Sequence, residues 1–390
     1  MVNFEFQNPT KIIFGKDSEQ CLGKEIKKYG KKVLFHYGGG SIKKNGVYDK
    51  VKKVLDDENI EYIELGGVKP NPRLSLIYEG IKICRENSID FILAVGGGSV
   101  IDSAKGIAVG VPYEGDVWDF YMGVSVPETK LPVGVVLTIP AAGSESSYSS
   151  VVTEEKNKLK RPLDHDVLYP QFAIMNPEFT FSLPAYQTSC GISDIMAHLM
   201  ERYFTNVKGV GITSRLLEGA MKNIIDNAHL VLEDPHNYIA RSEIMWTGSI
   251  AHNNLLNTGR IGDWASHMIE HELSAINDVA HGAGLAIVFP AWMKYVYKHN
   301  IDLFVQFAVR VWNVEQDFEN KERTALAGIE RLESFYKSIG LPVRLSEIGI
   351  GEEHYQEIAS KCRVFHEDDT VGNFVKLTRK DIVEILRLAK

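Results

Sequence analysis

Four residues with metal-binding side chains, one aspartate and three histidines, lie between positions 194 and 281 of the sequence. They are Asp194, His198, His267 and His281. Asp194 and His198 stand four residues apart, so on a helix both project from one face about one turn apart and can chelate a single ion. One carboxylate with three imidazoles suits Zn, Fe or Mn about equally, so the ligand types predict a metal site without selecting the ion.

The alternative for each histidine alone is an ordinary residue that is satisfied by hydrogen bonds in the core or at the surface. For the histidines as a group this alternative is less favourable, because three of the 12 histidines fall within the 15 residues from 267 to 281. His198 also lies among Ile195, Met196 and Leu199, where a buried imidazole needs a partner. The chain lacks His-Glu-x-x-His, so a zincin-type protease is not indicated.

A glycine-rich segment, Gly96-Gly-Gly-Ser99, follows the short apolar run from Asp90 to Val95. Such a run is typical of a buried strand in a parallel sheet, and the residues after the glycines have helical spacing. Glycines let backbone N–H groups approach an anion, and the positive end of a helix adds attraction, so the segment predicts a diphosphate cradle. The spacing differs from Gly-x-Gly-x-x-Gly, so a plain tight turn is the alternative, with Asp102 only favouring the helix dipole.

A second glycine run, Gly38-Gly39-Gly40-Ser41, follows the strand-like segment from Lys32 to Tyr37. An NAD-specific site places a carboxylate near this point to bind the ribose 2′-hydroxyl, and none is present here. We therefore expect NADP(H) to be preferred over NAD(H), with Ser41 and Lys44 as candidate ligands of the 2′-phosphate. The alternative is a tight turn followed by a solvated lysine.

The elements that must position these residues change character along the chain. Strand-like segments lie at 11–14, 32–37, 62–65, 90–95, 133–139, 151–153 and 172–175, with an amphipathic helix at 74–87. The character changes beyond Pro177, and from Pro184 onward only helical periodicity is found, in pieces such as 212–232, 238–257 and 323–339. The last helix is predicted to be capped by Thr378 with Asp381. The pattern predicts a Rossmann-like α/β dinucleotide-binding domain over residues 1–180 and an all-α metal-binding, catalytic domain over residues 181–390.

Composition excludes several classes of protein. A net charge of −8 argues against binding to nucleic acid. Cys21, Cys84, Cys190 and Cys362 are scattered without Cys-x-x-Cys, which indicates neither a disulfide framework nor a thiolate zinc site. No apolar run approaches the roughly 18 residues of a spanning helix, and the first residues do not resemble a signal peptide, so we expect a cytoplasmic protein that does not bind membranes.

The order of these motifs resembles the iron-containing (group III) alcohol dehydrogenases over almost the whole chain. The matching pattern is Gly-Gly-Gly-Ser-x-Ile-Asp after a strand, then Asp-x-x-x-His, His-x-x-x-His and His-Gly-x-Gly. The butanol dehydrogenase branch is indicated by Phe14-Gly15, residues 37–46, Pro70-Asn-Pro72 and residues 267–274. Two positions differ from the family pattern, since Ala142 replaces the usual threonine before Gly-Ser-Glu and Asn176 replaces the usual aspartate before Pro177.

The resemblance implies a homodimer that holds one divalent ion on Asp194, His198, His267 and His281, with Fe²⁺ expected and Zn²⁺ or Mn²⁺ as alternatives. The expected cofactor-binding residues are Gly38, Gly39, Gly40, Ser41, Asn71, Gly97, Gly98, Ser99, Asp102, Thr138 and Lys160. His267 and His271 are the expected catalytic residues, with His271 beside the nicotinamide. For His271 we weigh three roles, namely proton relay, fifth metal ligand and a buried histidine without chemical function.

The implied activity is that of a metal-dependent, NAD(P)H-linked alcohol dehydrogenase that mainly reduces small aliphatic aldehydes. The metal polarises the carbonyl oxygen while the nicotinamide delivers hydride. A glycerol or polyol dehydrogenase and a dehydroquinate-synthase-like enzyme of the same fold are the alternatives. A phosphorylated substrate is disfavoured because the segments 192–200 and 264–269 are largely apolar. A non-catalytic metal- or nucleotide-binding module is the alternative from a different class.

Overall fold

The computed structural model describes residues 1–390, which form eight β-strands and fifteen α-helices. The strands are β1 Lys11–Phe14, β2 Lys32–Tyr37, β3 Glu61–Leu65, β4 Phe91–Gly97, β5 Val133–Ile139, β6 Ser149–Glu154, β7 Leu159–Asp164 and β8 Phe172–Met175. The helices are α1 Leu22–Ile26, α2 Ser41–Lys44, α3 Val47–Asp57, α4 Leu74–Asn87, α5 Gly98–Gly110, α6 Trp118–Met122, α7 Ala185–Tyr203, α8 Gly211–Glu233, α9 Tyr238–His252, α10 Ala265–Asn277, α11 His281–Val296, α12 Ile301–Trp312, α13 Lys321–Ser338, α14 Tyr355–Lys361 and α15 Arg379–Leu388.

The chain divides into two compact units, and neither is a single stretch of sequence. The sheet unit comprises Gln7–Leu183 and Pro235–Asn253. The helical unit comprises Met1–Phe6, Pro184–Asp234 and Asn254–Lys390. Helix α9 therefore belongs to the sheet unit, although the helices before and after it in sequence belong to the helical unit.

Six parallel strands form the main sheet, in the order β1-β8-β5-β4-β2-β3. Strand β2 has β3 on one side and β4 on the other, so the winding of the chain reverses between β2 and β4. The carboxyl ends of these two strands are paired, with Tyr37 opposite Val95. In open parallel sheets ligands bind outside the carboxyl ends of the strands at such a switch point.

Both faces of the main sheet are buried, which explains the continuously apolar strands. On β4, Ile92 and Ala94 face one apolar core, whereas Phe91, Leu93 and Val95 face the other. The prediction of a parallel α/β sheet followed by a helical region is confirmed. Strand β4 runs on to Gly97, so two of the three glycines belong to the strand and α5 begins at Gly98.

Strands β6 and β7 form a separate antiparallel pair in the sheet unit. The sequence pattern predicts β6 but not β7, whose residues include Pro162 and three charged side chains. Proline donates no backbone hydrogen bond, and it is tolerated here because a two-stranded sheet has only edge strands.

In the helical unit, α7, α10 and α11 pack against one another. From Gly191 to Tyr203 every residue of α7 is buried, which is the pattern of a helix inside a bundle. The prediction for the last helix is confirmed, because Thr378 and Asp381 form a capping box at the start of α15. No helix combines the length and the apolar character needed to cross a membrane.

Candidate metal and dinucleotide sites

Asp194 and His198 lie one turn apart on α7, and both side chains are buried. The Oδ1 atom of Asp194 is 3.2 Å from Nδ1 of His198. A buried carboxylate is costly unless an opposite charge or hydrogen-bond donors compensate it. We therefore expect a cation or hydrogen-bond donors beside Asp194 that compensate its negative charge.

Two further histidines approach the same carboxylate oxygen from other helices of the helical unit. His267 is in the first turn of α10 and His281 is the first residue of α11. Their Nε2 atoms lie 3.9 Å and 3.7 Å from Asp194 Oδ1. The potential ligand atoms of Asp194, His267 and His281 all lie within 4.8 Å of one another, whereas His198 is outside this mutually close group.

This arrangement fits a divalent cation. Asp194 Oδ1 and His267 Nε2 are buried and make no hydrogen bond, which is uncommon for polar atoms in a protein interior. Ligands about 2.1 Å from a tetrahedral ion are roughly 3.4 Å apart. The 3.9 Å and 3.7 Å separations of His267 Nε2 and His281 Nε2 from Asp194 Oδ1 are close to this value.

The electrostatics of His267 lead to the same conclusion. Burial lowers the pKa of His267, but the neighbouring Asp194 and Glu201 carboxylates outweigh burial and raise this pKa to about 9. A proton thus supplies the positive charge that the two carboxylates favour. A metal ion at the same place would displace that proton, since a ligating imidazole must be neutral.

Two buried glutamates that the sequence analysis does not identify contact these histidines. Glu201 Oε1 accepts a hydrogen bond of 2.8 Å from Nδ1 of His267, and Glu270 Oε2 accepts one from Nδ1 of His281. A signal is present in the sequence, because Glu201 follows His198 by three residues and Glu270 follows His267 by three residues. On a helix this spacing places each glutamate on the same face as a candidate ligand.

The glycines of His281-Gly-Ala-Gly284 have a steric role. A side chain at Gly282 would collide with the backbone carbonyl of Cys190 on α7. A Cβ atom at Gly284 would lie 2.7 Å from the side chain of Glu270. Both glycines thus let α11 approach its neighbours closely enough to bring His281 near Asp194.

His271 is buried one turn after His267 on α10. Its ring centroid lies 5.5 Å from that of His281 and 6.4 Å from that of His267. Potential ligand atoms of His271, Glu270 and His281 form a second mutually close group, which does not include Asp194. His271 thus lies beside two of the candidate metal ligands, His267 and His281.

In the sheet unit, the two glycine runs occupy the paired carboxyl ends of β2 and β4. Gly39 and Gly40 face open space, with no atom within 4 Å of an added Cβ. Gly97 and Gly98 are instead needed for packing, since their added Cβ atoms would lie 2.8 Å from Ile139 and 3.1 Å from Ala142. The first four N–H groups of α5, from Gly98 onward, lack partners within the helix and can bind an anion.

Asp102 is held inside the sheet unit. Its carboxylate accepts hydrogen bonds from Ser144 Oγ at 2.6 Å and from the Val151 backbone N–H at 3.0 Å. Burial raises the pKa of Asp102, which the nearby Lys105 ammonium opposes. Asp102 thus links α5 to β6 and to the loop before it, in addition to any contact that it makes with a cofactor.

Lys105, which the sequence analysis does not identify, fixes the same loop. Its buried ammonium donates to the carbonyl oxygens of Ser144, Ser147 and Ser149 at 2.7, 2.9 and 2.7 Å. Burial lowers the pKa of Lys105 to about 8. Its sequence signal is only a lysine three residues after Asp102, on a helix whose other residues are small or apolar.

Among the remaining expected cofactor residues, Lys160 and Asn71 are brought together. Lys160 Nζ donates to Asn71 Oδ1 at 3.0 Å, and both residues are buried. Thr138 is buried on β5, Ser99 is half-buried in the first turn of α5, and Ser41 is exposed at the start of α2.

Comparisons with known proteins give matches to both the N-terminal and the C-terminal part of the chain. Residues 9–177 match the family model for iron-containing alcohol dehydrogenase, and residues 188–390 match the model for the C-terminal part of the Fe-containing alcohol dehydrogenase family. The chain is 44% identical over 387 residues to a probable NADH-dependent butanol dehydrogenase 2 from Bacillus subtilis, with 99% of both chains covered. It is 35% identical over 353 residues, with 90% of both covered, to the NADPH-dependent aldehyde reductase YqhD from Escherichia coli. A crystal structure of an NADH-dependent butanol dehydrogenase A from Thermotoga maritima superimposes with a TM-score of 0.96 at 43% identity, covering 99% of this chain and 98% of that one.

Proposed function

Because the chain belongs to the iron-containing alcohol dehydrogenase family, we propose that it is an NAD(P)H-linked alcohol dehydrogenase that mainly reduces small aliphatic aldehydes to primary alcohols. The observation that carries this proposal is the approach of two histidine Nε2 atoms, from His267 and His281, to Asp194 Oδ1. The butanol dehydrogenases and the aldehyde reductase among its relatives support the substrate class.

We propose that Asp194, His198, His267 and His281 hold one divalent ion, with Fe²⁺ as the native metal and Zn²⁺ or Mn²⁺ as alternatives. Such an ion supplies Lewis-acid polarisation of a carbonyl oxygen, while the reduced nicotinamide supplies hydride. Asp194 provides negative charge, and the imidazoles bind as neutral ligands. No nucleophilic side chain is needed.

The surroundings of the proposed ligands favour an alkyl substrate over a phosphorylated one. The Trp264 ring lies 5.3 Å from the ring of His267 and 6.1 Å from that of His198, so one wall beside these ligands is aromatic. The nearby guanidinium of Arg202 is buried and donates to the carbonyl oxygen of His198. A buried arginine in this role is a poor ligand for a substrate phosphate.

We propose that the sheet unit is the dinucleotide-binding domain and that the helical unit is the metal-binding, catalytic domain. The predicted ranges, residues 1–180 and 181–390, differ from these units because Met1–Phe6 belong to the helical unit, and residues 181–183 and Pro235–Asn253 belong to the sheet unit. The diphosphate is assigned to Gly97, Gly98 and Ser99 at the start of α5, and further contacts to Asn71, Asp102, Thr138 and Lys160. Support comes from the switch point between β2 and β4 and from the free N–H groups of α5.

We propose that NADP(H) is preferred over NAD(H). The run Gly38–Ser41 contains no carboxylate to repel a 2′-phosphate, and Ser41 and Lys44 are both exposed. Lys43 is less suitable as a ligand because its ammonium stacks on the rings of Tyr37 and Tyr48, 5.1 Å and 4.7 Å from their centroids. The relatives include enzymes named for either cofactor, since the Bacillus enzyme is called NADH-dependent and the Escherichia enzyme NADPH-dependent.

We also propose that His271 relays a proton to the reduced substrate. A buried imidazole one turn from His267 is placed for this role, and an imidazole exchanges protons readily near neutral pH.

We further propose a cytoplasmic homodimer. Four free cysteines suit a reducing compartment. Strand β1 is an edge strand of the main sheet, and its last residue, Phe14, forms an exposed aromatic pair with Trp246, with ring centroids 6.3 Å apart. An uncovered edge strand with apolar side chains is a typical site of association. Light scattering on the purified protein distinguishes the 43.7 kDa monomer from a particle of twice that mass.

One assay tests the proposed activity. The metal-free protein is loaded separately with Fe(II), Zn(II) or Mn(II), and oxidation of NADPH or NADH by butanal is followed through the near-ultraviolet absorbance of the reduced cofactor. We expect turnover that depends on the added metal. Failure of every metal to support turnover with butanal and with shorter and longer aldehydes would reject the proposed activity.

A further inference from the structure

The Glu201 carboxylate lies at the junction of two helices that carry proposed metal ligands. It is fully buried on α7, and its Oε1 atom accepts hydrogen bonds from the backbone N–H and from Nδ1 of His267, at 3.0 Å and 2.8 Å. Its Oε2 atom accepts the backbone N–H of Trp264 at 2.5 Å. Glu201 therefore caps the start of α10, which lacks a side-chain cap of its own, and orients the imidazole of His267.

Glu270 occupies the equivalent place one helix further along the chain. It is fully buried on α10, and its two oxygens accept hydrogen bonds from Nδ1 of His281 and from the hydroxyl of Ser274. Gly284 leaves the space that this carboxylate fills. Both glutamates thus reach a histidine on the next of the three helices, from α7 to α10 and from α10 to α11.

A carboxylate that accepts a hydrogen bond from Nδ1 selects one tautomer of the imidazole. The proton stays on Nδ1, and the lone pair is left on Nε2. In both histidines Nε2 is the atom that faces Asp194 Oδ1. The direction of each hydrogen bond and the direction of the free lone pair therefore agree with ligation through Nε2.

We propose that Glu201 and Glu270 are positioning residues that hold His267 and His281 in the tautomer and ring orientation required to bind the metal through Nε2. The inference rests on the proposed metal site and adds two residues to it. Glu270 lies close enough to His271 and His281 to be a metal ligand itself. We instead assign it the role of hydrogen-bond partner of His281, because its carboxylate contacts Nδ1 of that histidine.

Binding of Zn(II) to the metal-free full-length protein tests this inference without an activity assay. Dissociation constants are measured by competition with a chromophoric chelator for the wild type, Glu201→Gln and Glu270→Gln. Loss of a partner behind a ligand typically weakens metal binding by about 10-fold to 100-fold, and we expect losses in this range for both variants.

Glu218→Gln provides the matched control. Glu218 is a buried carboxylate of the same unit that accepts a hydrogen bond from Tyr203 and pairs with Arg215 and Arg310, but it contacts no proposed ligand. We expect this variant to bind Zn(II) with nearly wild-type affinity even if its stability falls. Equal losses in all three variants, or wild-type affinity in both test variants, would overturn the proposed positioning role.

The tautomers themselves are tested in the wild type, which covers the case in which a variant does not fold. Long-range ¹H–¹⁵N correlation spectra of the Zn(II)-loaded, ¹⁵N-histidine-labelled protein distinguish a metal-bound nitrogen from a protonated one. We expect His267 and His281 to be protonated on Nδ1 and metal-bound on Nε2, and the opposite assignment would contradict the proposal. If the wild type binds no divalent ion, the proposed metal site fails as well, whereas tight binding that is unaffected in both variants removes only the positioning role.

Discussion

The backbone carbonyl of Cys190 occupies the space into which a side chain at position 282 would project. Cys190 is on α7, four residues before Asp194, and Gly282 directly follows His281 at the start of α11. The close approach of these two backbones therefore sets the distance between the aspartate and the histidine that we assign to one metal ion.

Gly282→Ala should weaken metal binding, because the new methyl group forces α11 away from α7 and moves His281 from Asp194. Gly219→Ala is the control, since Gly219 is exposed on α8 with open space around it and should gain about 0.5–1 kcal/mol of stability. Chelator competition and thermal unfolding measure the two effects. Unchanged Zn(II) affinity in Gly282→Ala would show that the packing does not control the site.

Removing a proposed ligand should remove metal and activity together. Asp194→Ala and His281→Ala each delete one of the atoms around the proposed ion, so elemental analysis should find far less metal than the one ion per chain expected in the wild type. His299→Ala, at an exposed histidine of the same unit, should keep its metal. Full turnover by a metal-free Asp194→Ala protein would refute the proposed metal chemistry.

Lys44→Ala should reduce the preference for NADPH over NADH, because it removes a cation proposed to bind the 2′-phosphate. Loss of about 1.4 kcal/mol of binding corresponds to tenfold in the ratio of kcat/KM values. Lys82→Ala serves as the control, since Lys82 is an exposed lysine on α4 that pairs with Glu86. Equal kcat/KM values for the two cofactors in the wild type, or a preference for NADH, would show that the proposed specificity is wrong.

His271→Phe should retain metal and cofactor but lose turnover. General acid–base assistance is typically worth about 10²-fold to 10⁴-fold in rate, and a loss on that scale in kcat is expected if His271 passes the proton. Metal content, cofactor affinity and kcat are measured on the same preparation. Collapse of the metal content would instead make His271 a fifth ligand, and near-wild-type kcat would leave it with a packing role.

The stability of the sheet unit should decrease in acid because of His36. This imidazole is fully buried, 2.9 Å from both the Leu65 carbonyl oxygen and the Ser103 hydroxyl. Burial lowers its pKa from 6.5 to about 4, although the hydrogen bond to Leu65 opposes this. The unfolded chain therefore binds the proton more readily, so the stabilisation is complete above pH 6.5 and is lost as the pH falls toward 4, by about 3 kcal/mol in total.

The measurement for His36 is the apparent midpoint of thermal unfolding at a series of pH values. Wild type should lose stability between pH 6.5 and 4 more steeply than His36→Leu, even if the variant is less stable at every pH. Parallel curves for the two proteins would contradict this account.

The fold follows from the sequence wherever a pattern has only one physical interpretation. The helix from Leu74 to Asn87 and the strand from Val133 to Ile139 have the predicted limits. An amphipathic stripe of helical period indicates the helix, and the short length and the β-branched residues of the apolar run indicate the strand. Strand β7 is missed because a proline among charged residues suggests a loop. Its pairing with β6 depends on a neighbour that no local pattern specifies.

Residue types and their spacing predict the proposed metal ligands, but they do not predict the buried groups that contact these ligands. Asp194 and His198 are found through their spacing on one helix, whereas Glu201 and Glu270 are missed because their partners are on other helices. Lys105 is also missed, since its acceptors are carbonyl oxygens of Ser144, Ser147 and Ser149, about 40 residues further along the chain. Contacts between distant segments depend on the packing of helices, which spacing alone does not give.

The interleaving of the two units has a consequence for folding during synthesis on the ribosome. The sheet unit lacks α9 until residue 253 has been made, by which time the segment Pro184–Asp234 of the helical unit has already been synthesised. The helical unit in turn includes the first six residues of the chain and must wait for its last ones. Chains usually complete domains one after another from the N-terminus, but here neither unit can be finished as a separate early product. A ribosome-bound chain stopped before residue 235 therefore contains all six strands of the main sheet but lacks the helix α9 that completes their unit.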